Sequence, residues 1–209
     1  MLIIGIAGGA GSGKTTVVNK VVDRIPVDTA AILSQDAYYC DGSHLPMKER
    51  QRMNFDHPDS VEFDLLVNHL CKLKAGETIY QPVYSYVSYT RQEETIEIKP
   101  KEVIIIEGIL VLTHQALRSM MDLKIFVDAE ADDRLIRVIH RDIKERGRDT
   151  NQILQRYQAT VKPMHFQFIE PSKRYADLIV PQGGNNHVAI DILSRYILHN
   201  INDKTLENA

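Results

Sequence analysis

The sequence predicts an α/β fold, a doubly wound sheet of five parallel strands with helices on both faces. Apolar runs of strand length alternate with helical patterns along the chain, and the first run leads directly into a glycine-rich loop. Acidic residues follow several of the runs, which lie at residues 2–7, 30–33, 103–108, 123–127 and 177–180. Because the carboxyl ends of parallel strands share one edge, we expect the ligand site there.

The composition describes one domain. With 209 residues, of which 44% are hydrophobic, the chain predicts a single domain over residues 1–209, a β-hairpin insertion at 79–98 and a lid at about 141–165. A net charge of -3 does not indicate the strongly basic balance that nucleic-acid binding needs. No apolar run approaches the ~20 residues of a membrane span, and Leu2 leaves no room for a signal peptide. With Cys40 and Cys71 interpreted as free thiols, we expect a soluble, cytoplasmic protein.

The glycine-rich loop fits the P-loop pattern G-x-x-x-x-G-K-[ST] between Gly8 and Thr15. Its glycines let backbone N–H groups approach phosphate oxygens, and the helix that follows directs its positive end at the same anion. Lys14 is expected to reach the β- and γ-phosphates, and the Thr15 hydroxyl to hold Mg²⁺. The predicted nucleotide-binding residues are Gly8, Gly9, Ala10, Gly11, Ser12, Gly13, Lys14, Thr15 and Thr16.

Two acidic residues follow predicted strands at the expected ligand edge. Asp36 comes after the second strand, where its carboxylate could be catalytic or could form a turn or helix cap. Glu107 ends the most apolar strand, which we expect to be central in the sheet, and suits a second position at the magnesium ion. The histidines show no metal-ligand spacing.

A charged helix over residues 131–148 leads into the predicted lid. Arg134 and Arg137 are interpreted as part of a solvated face with i,i+4 ion pairs. The segment from Arg141 to Arg148 differs because Gly147 interrupts the helix between two arginines, which is typical of a lid that closes over phosphate. A helix over residues 151–161 is predicted to end at Pro163.

Two segments between the second and third sheet strands predict an acceptor pocket. Residues 54–59 should form a loop, with Asp59 or Ser60 capping the helix over 61–74. Residues 81–98 indicate a β-hairpin whose strands are joined by the charged residues 91–94. Its tyrosines could stack on a base or could simply reflect strand propensity.

These parts favour a small-molecule kinase, which needs a general base, a metal, a lid and an acceptor pocket. A GTPase would carry an Asn-Lys-x-Asp element after a strand, whereas residues 19–23 miss that spacing inside a helix. A nucleic-acid-coupled ATPase would be larger or more basic.

The sequence resembles the uridine–cytidine kinases over about residues 2–200. The resemblance rests on seven segments in the same order along the chain: residues 8–16, 33–36, 54–58, 82–84, 107–110, 141–148 and 176–181. It implies phosphorylation of the 5′-hydroxyl of uridine or cytidine with ATP and Mg²⁺, in pyrimidine salvage. It also implies a homotetramer. The choice between ATP and GTP as donor stays open.

The resemblance implies roles for individual residues. Asp36 would act as general base, and Asp56 would hold the ribose hydroxyls. Tyr84 would contact the base and Arg148 the nucleoside. Lid arginines would offset charge on the transferring phosphoryl group. The predicted catalytic residues are therefore Lys14, Asp36, Arg141 and Arg146, the predicted metal ligands are Thr15 and Glu107, and the predicted acceptor residues are Asp56, Tyr84, Tyr89, Arg148 and Arg156.

Three positions depart from the family pattern. Tyr89 stands where histidine is usual, Val138 replaces an arginine, and Arg156 replaces a glutamine that binds nucleoside. These changes could shift the balance between uridine and cytidine or alter the acceptor, since a site built to hydrogen-bond a polar group rejects ligands lacking it by about 10⁴–10⁵. Two alternatives remain: a kinase of the same fold acting on another small hydroxyl compound, and a non-catalytic nucleotide-binding regulator.

Overall fold

The computed structural model describes residues 1–207 and contains a sheet of five parallel strands. The order across the sheet is β2-β5-β1-β6-β7, and β3 and β4 form a separate antiparallel hairpin. The prediction of a five-stranded parallel sheet is therefore confirmed. The strands are β1 (Leu2–Ala7), β2 (Ala30–Ser34), β3 (Ile79–Ser85), β4 (Thr90–Ile98), β5 (Val103–Glu107), β6 (Leu123–Asp128) and β7 (Leu178–Pro181).

Helices cover both faces of the sheet. They are α1 (Lys14–Val22), α2 (Met47–Arg50), α3 (Phe63–Lys74), α4 (Gln115–Arg118), α5 (Ala131–Arg146), α6 (Thr150–Arg156), α7 (Lys162–Met164), α8 (Glu170–Ser172) and α9 (His187–Glu207). Successive residues of β1 point to opposite faces, so Ile4 packs in a core that includes residues of α1 and α9, whereas Ile3 packs in a core that includes residues of α3. Within residues 1–207, the helices are all too short or too polar to cross a bilayer.

The centre of the sheet is β1, which pairs with β5 on one side and β6 on the other. The sequence predicts β5 as central; it is an interior strand, and Val103–Ile106 are buried, but it lies one place from the middle. The strand order reverses at β1, so a crevice opens beyond its carboxyl end. The glycine-rich loop begins at this point.

The hairpin turn lies at residues 86–89, so the prediction of a turn at residues 91–94 is wrong. Ser85 closes the turn: its carbonyl accepts from the Tyr89 N–H at 2.8 Å, and its hydroxyl accepts from the Val87 and Ser88 N–H groups. The charged residues 91–94 lie inside β4, where most of them are exposed. The hydrogen bonds from the turn backbone to the Ser85 hydroxyl stabilise a turn at residues 86–89, and the run of charged residues did not indicate this position.

The predicted cap of α3 is also wrong. Neither Asp59 nor Ser60 caps this helix, which begins at Phe63 after Glu62. Asp59 and Ser60 instead form a short 3₁₀ turn with Pro58, and the His57 ring caps that turn by accepting from the Asp59 N–H at 3.1 Å. The polar loop therefore folds on itself before the helix starts.

The helix that was predicted over residues 151–161 does not end at Pro163. Helical backbone continues from Thr150 to Tyr175, with π-helical turns at Tyr157–Val161 and His165–Ile169. A proline in an α-helix clashes with the carbonyl four residues earlier, and the wider π turn before Pro163 relieves that clash. This segment thereby crosses the carboxyl edge of the sheet without a break.

Replacing Ile105 by alanine should lower the free energy of unfolding by about 2–5 kcal/mol, because the buried side chain packs in the core between the sheet and helices α1 and α9. Urea unfolding monitored by circular dichroism would measure the loss. The matched variant Ile96→Ala, at a strand position that is 51% exposed, should change stability by about 0.5 kcal/mol or less. Equal losses in the two variants would contradict the assignment of the core.

Candidate active site

The loop between β1 and α1 closely approaches neighbouring backbone. Gly11 and Gly13 have φ angles of 77° and 93°, and a Cβ atom on Gly11 would lie 2.4 Å from the carbonyl oxygen of Arg134. Only glycine fits this position without a shift of the main chain. The Ser12 hydroxyl is buried in the loop and has no hydrogen-bond partner among the described residues. The loop therefore keeps a polar group available for a ligand.

Arg134 packs beside this loop and Arg137 donates to it. The prediction of a solvated helix face is therefore wrong for the buried Arg134, whereas the Arg137 side chain is 37% exposed. Arg134 is 6% exposed, and its Nε donates to the Ala129 carbonyl at 3.1 Å. Arg137 Nη1 donates to the carbonyls of Gly11 and Ser12 at 3.3 and 3.4 Å. The i,i+4 pair with Asp133 exists as well, at 3.8 Å. The helical spacing was correct, but it could not show that α5 packs on the loop.

Lys14 and Thr15 meet Glu107 at the carboxyl edge of the sheet. The Thr15 hydroxyl donates to Glu107 Oε2 at 3.1 Å, and the Ser34 hydroxyl donates to Oε1 at 3.3 Å. Burial lowers the pKa of Lys14, and the nearby charges of Glu107 and Asp36 oppose that shift. A carboxylate and two hydroxyls form an oxygen-rich group of the kind Mg²⁺ prefers.

Asp36 lies in a short 3₁₀ helix, Gln35–Tyr38, directly after β2. The Tyr86 hydroxyl, from the hairpin turn, donates a short hydrogen bond to Asp36 Oδ2. Burial raises the pKa of Tyr86, with the nearby charge of Asp36 adding to the shift, so the phenol stays a donor. The Tyr86 ring also lies under the guanidinium of Arg146 at 4.3 Å. Tyr86 thus links the expected base to the lid.

Asp142 gathers the lid arginines. It accepts from Arg141 at 2.8 Å and from Arg148 at 2.8 Å, and Arg146 lies 3.5 Å away. Gly147, at a φ of 61°, ends α5 and lets the chain turn so that Arg148 returns to Asp142. Burial alone would raise the pKa of Asp142, but the arginines hold it below its usual value.

Asp56 lies on the opposite wall and is 5% exposed. Its closest cation is Arg156, whose Nη2 lies 3.7 Å from Asp56 Oδ2. Burial raises the pKa of Asp56, and the charge of Arg156 opposes that shift. A cavity of about 110 Å³ connects these groups, and it is lined by Lys14, Thr15, Asp36, Asp56, Glu107, Val138, Arg141, Arg146 and Arg156, among others.

Tyr84, Tyr89 and Arg148 do not line that cavity. Tyr84 packs against Tyr39 and Phe55, at ring separations of 5.3 and 6.0 Å, and its buried hydroxyl has no partner among the described residues. Tyr89 stacks on Phe55 at 5.9 Å and accepts from Arg148 Nη2 at 3.3 Å. Tyr89 and Arg148 line an adjoining groove of about 520 Å³, which shares Arg156 with the cavity.

Sequence reasoning missed Tyr86 and Asp142 as members of the site. Tyr86 lay inside a strand in the predicted hairpin, and only its position in the turn brings it to Asp36. Asp142 stands beside Arg141 and four residues before Arg146, a spacing that signals an ion pair but not three arginines on one carboxylate.

A groove of about 650 Å³ includes Arg134 and Arg137, which contact the glycine-rich loop, in its lining. The rest of the lining is Asp128, Ala129, Glu130, Ala131, Asp133, His165, Glu170, Lys173, Pro181, Gln182 and Asn185. His165 is buried, and its Nε2 lies 3.1 Å from Arg134 Nη2. Burial and the charge of Arg134 lower the pKa of His165 to about 4, so the ring is neutral near pH 7 and can accept from the guanidinium.

Comparison with known proteins matches this chain to one family. The family model described as phosphoribulokinase / uridine kinase matches residues 3–189. A uridine kinase of Bacillus cereus (strain G9842) is 54% identical over 192 residues, covering 92% of this chain and 91% of the relative. A uridine kinase of Anoxybacillus flavithermus is 52% identical over the same shares.

The fold also matches a solved structure. Phosphoribulokinase from Rhodobacter spheroides superposes with a TM-score of 0.64 and 16% identity, covering 86% of this chain and 69% of the other. At that identity the likeness concerns the fold alone. It agrees with the α/β architecture described above.

Neutral burial of His165 should make stability depend on pH. Between pH 6.5 and about 4 the unfolded chain binds a proton that the folded state excludes, so this contribution is complete above pH 6.5 and is lost as pH falls. The loss between pH 7 and pH 5 should be about 2 kcal/mol in urea unfolding. His165→Gln should remove this component, whereas His44→Gln, at an exposed position, should keep it. Identical pH profiles for His165→Gln and the wild type would contradict the interpretation.

Proposed function

The chain belongs to the phosphoribulokinase / uridine kinase family and is a kinase; from that premise we propose that it phosphorylates the 5′-hydroxyl of uridine or cytidine with ATP and Mg²⁺. One observation carries the proposal. Asp36, Asp56 and Lys14, which come from three separate parts of the chain, line a single cavity with the lid residues Arg141 and Arg146.

The donor side fits a magnesium nucleotide. The glycine cradle, the unpartnered Ser12 hydroxyl and Lys14 match the needs of a polyphosphate chain. Thr15 and Glu107 would hold Mg²⁺, which neutralises charge on the phosphate oxygens when bound. The groove lined by Pro181, Gln182 and Asn185 would take the nucleoside of the donor, since its lining also includes Arg134 and Arg137, which contact the same loop.

The acceptor side fits a nucleoside hydroxyl. Asp36, held by the hydrogen bond from the Tyr86 hydroxyl, would accept the proton of the attacking hydroxyl. The hydroxyl oxygen would then bond to the γ-phosphorus of ATP as the bond from that phosphorus to the leaving ADP breaks. The proton would stay on Asp36. Arg141 and Arg146 would stabilise the charge that spreads over the transferring group. Tyr84, with its unpartnered hydroxyl, is the candidate for contact with the base.

The alternatives have weaker support. An acceptor with a phosphate of its own would need a free cation in the cavity, and Arg156, the candidate, is paired with Asp56. A nucleotide-binding regulator would not need an aspartate held by hydrogen bonding beside the phosphate loop. Assembly as a homotetramer and a cytoplasmic location, both expected from the sequence, remain predictions.

Product formation with each nucleoside tests the function directly. With ATP and Mg²⁺, the protein should release ADP in the presence of uridine or cytidine, and mass spectrometry should find the matching 5′-monophosphate. Adenosine and a reaction without acceptor provide the comparison. Background hydrolysis that is the same in all four reactions would reject the proposed acceptor while leaving the nucleotide site intact.

Replacing Asp36 by asparagine should lower kcat by about 10²–10⁴-fold, because the amide cannot accept the proton of the hydroxyl. The dissociation constant for ATP, measured by calorimetry, should stay unchanged. Asp64→Asn, an exposed position in α3, is the matched control and should keep full activity. An Asp36→Asn enzyme with wild-type turnover would exclude the general-base role.

A further inference from the structure

A tyrosine of the hairpin turn reaches into the cavity. Tyr86 follows β3 and begins the turn at residues 86–89, and its side chain lines the cavity together with Asp36 and Arg146. The next residue, Val87, is exposed to solvent instead. The backbone therefore directs Tyr86, from an antiparallel hairpin outside the main sheet, to the candidate reaction centre.

The turn that carries Tyr86 is anchored to the rest of the protein. Besides the hydrogen bonds to Ser85, the Arg50 side chain joins the turn to the segment before α3. Its Nη1 donates to the Ser88 carbonyl at 3.3 Å, and its Nε donates to the Leu45 carbonyl at 2.6 Å. A supported backbone thus presents Tyr86 to the cavity.

The two ends of the Tyr86 side chain make different contacts. The hydroxyl donates a short hydrogen bond to Asp36 Oδ2, and the Arg146 guanidinium lies 4.3 Å from the centre of the ring. Tyr39 and Tyr84 pack against the ring edge to face, at centre separations of 6.5 and 5.8 Å. One side chain therefore contacts the expected base and a lid arginine at the same time.

The contributions of the hydroxyl and the ring are separable. Phenylalanine at this position would keep the ring beside Tyr39, Tyr84 and Arg146. The hydrogen bond to Asp36 is the contact that phenylalanine would lose. Burial raises the pKa of Tyr86, and the charge of Asp36 adds to that shift, so the phenol donates and does not ionise.

Other groups around Asp36 reach it from different elements. Burial raises the pKa of Tyr39, and the charge of Asp36 and a hydrogen bond with it add to the shift. Tyr39 directly follows the 3₁₀ helix that contains Asp36, so it belongs to the same segment. Lys14 and Asp56 face Asp36 as charges. Tyr86 is the contact that ties Asp36 to the hairpin and, through the ring, to the lid.

We propose that Tyr86 is a positioning residue for phosphoryl transfer: its hydroxyl fixes the orientation of the Asp36 carboxylate, and its ring supports Arg146. The inference rests on the proposed function, since it takes Asp36 to be the general base. A carboxylate rotates about single bonds, and misplacement by about 1 Å can cost on the order of 10²-fold in rate. The hairpin thereby sets the base and one lid arginine through a single side chain.

Tyr86→Phe removes the hydroxyl and keeps the ring. With the preferred pyrimidine nucleoside it should lower kcat by about ten- to hundredfold, the range for a hydrogen bond to a charged group. KM for the nucleoside and Kd for ATP should stay unchanged, because the effect belongs to the transition state. The matched control Tyr80→Phe, in the same hairpin and 59% exposed, should keep the wild-type kcat.

A double-mutant cycle tests whether the hydroxyl acts through Asp36. Asp36→Asn already lacks the base, so adding Tyr86→Phe should lower its residual kcat no further. If Tyr86→Phe merely disturbed the fold, the two losses would multiply. The cycle therefore separates positioning of the base from a general structural effect.

The ring is tested together with Arg146. Tyr86→Leu removes both contacts and should have a kcat about two- to thirtyfold below that of Tyr86→Phe, the range for a cation over an aromatic ring. In an Arg146→Gln background the leucine and phenylalanine variants should have the same kcat, because the cation is absent. A difference that persists in that background would overturn the role of the ring.

The outcomes are distinct. A wild-type kcat in Tyr86→Phe, a loss confined to KM for the nucleoside, or a loss that multiplies with that of Asp36→Asn would each overturn the inference. Turnover of uridine or cytidine by the wild type would still support the proposed function in those cases. Absence of wild-type turnover with every pyrimidine nucleoside would reject the proposed function itself.

Discussion

The close approach of the phosphate-loop backbone to two neighbouring segments is the constraint on which the rest of the site depends. Gly11 touches the backbone of α5, and a Cβ atom on Gly183 would lie 2.3 Å from the carbonyl oxygen of Ser12. Lys20 of α1 donates to the Gly184 carbonyl at 2.8 Å, which ties the helix after the loop to the turn after β7. Glycine is required on both sides because either contact leaves no space for a side chain.

Helix α5 contacts the phosphate loop at one end and leads into the lid at the other. In the N-terminal half of α5, Arg134 packs beside the loop glycines and Arg137 donates to loop carbonyls. The C-terminal half carries Arg141 and Arg146, which pair with Asp142. One helix therefore connects the phosphate cradle to the groups that would offset charge on a transferred phosphate. A displacement of α5 would therefore move both the contacts to the phosphate loop and the lid arginines.

The buried charges of the site are arranged in compensating sets. Lys14 lies near Glu107 and Asp36, Asp142 carries its arginines, and Asp56 faces Arg156. Isolated buried charges are costly, and each of these groups has partners of opposite charge that oppose the effect of burial on its pKa.

The sequence by itself determined the fold class, the five strands and the phosphate loop, because apolar periodicity and glycine spacing are local properties. It placed Asp36 and Glu107 at the ligand edge, since both follow sheet strands. Only the tertiary structure decided that Arg137 donates to the loop, that Tyr86 reaches Asp36 and that Arg156 faces Asp56. The Tyr86–Asp36 and Arg137–Gly11 contacts join residues 50 and 126 positions apart, and local patterns do not report which helix face packs on which loop. The physical reason is that burial and pairing of charge are set by packing between elements, not by spacing within one.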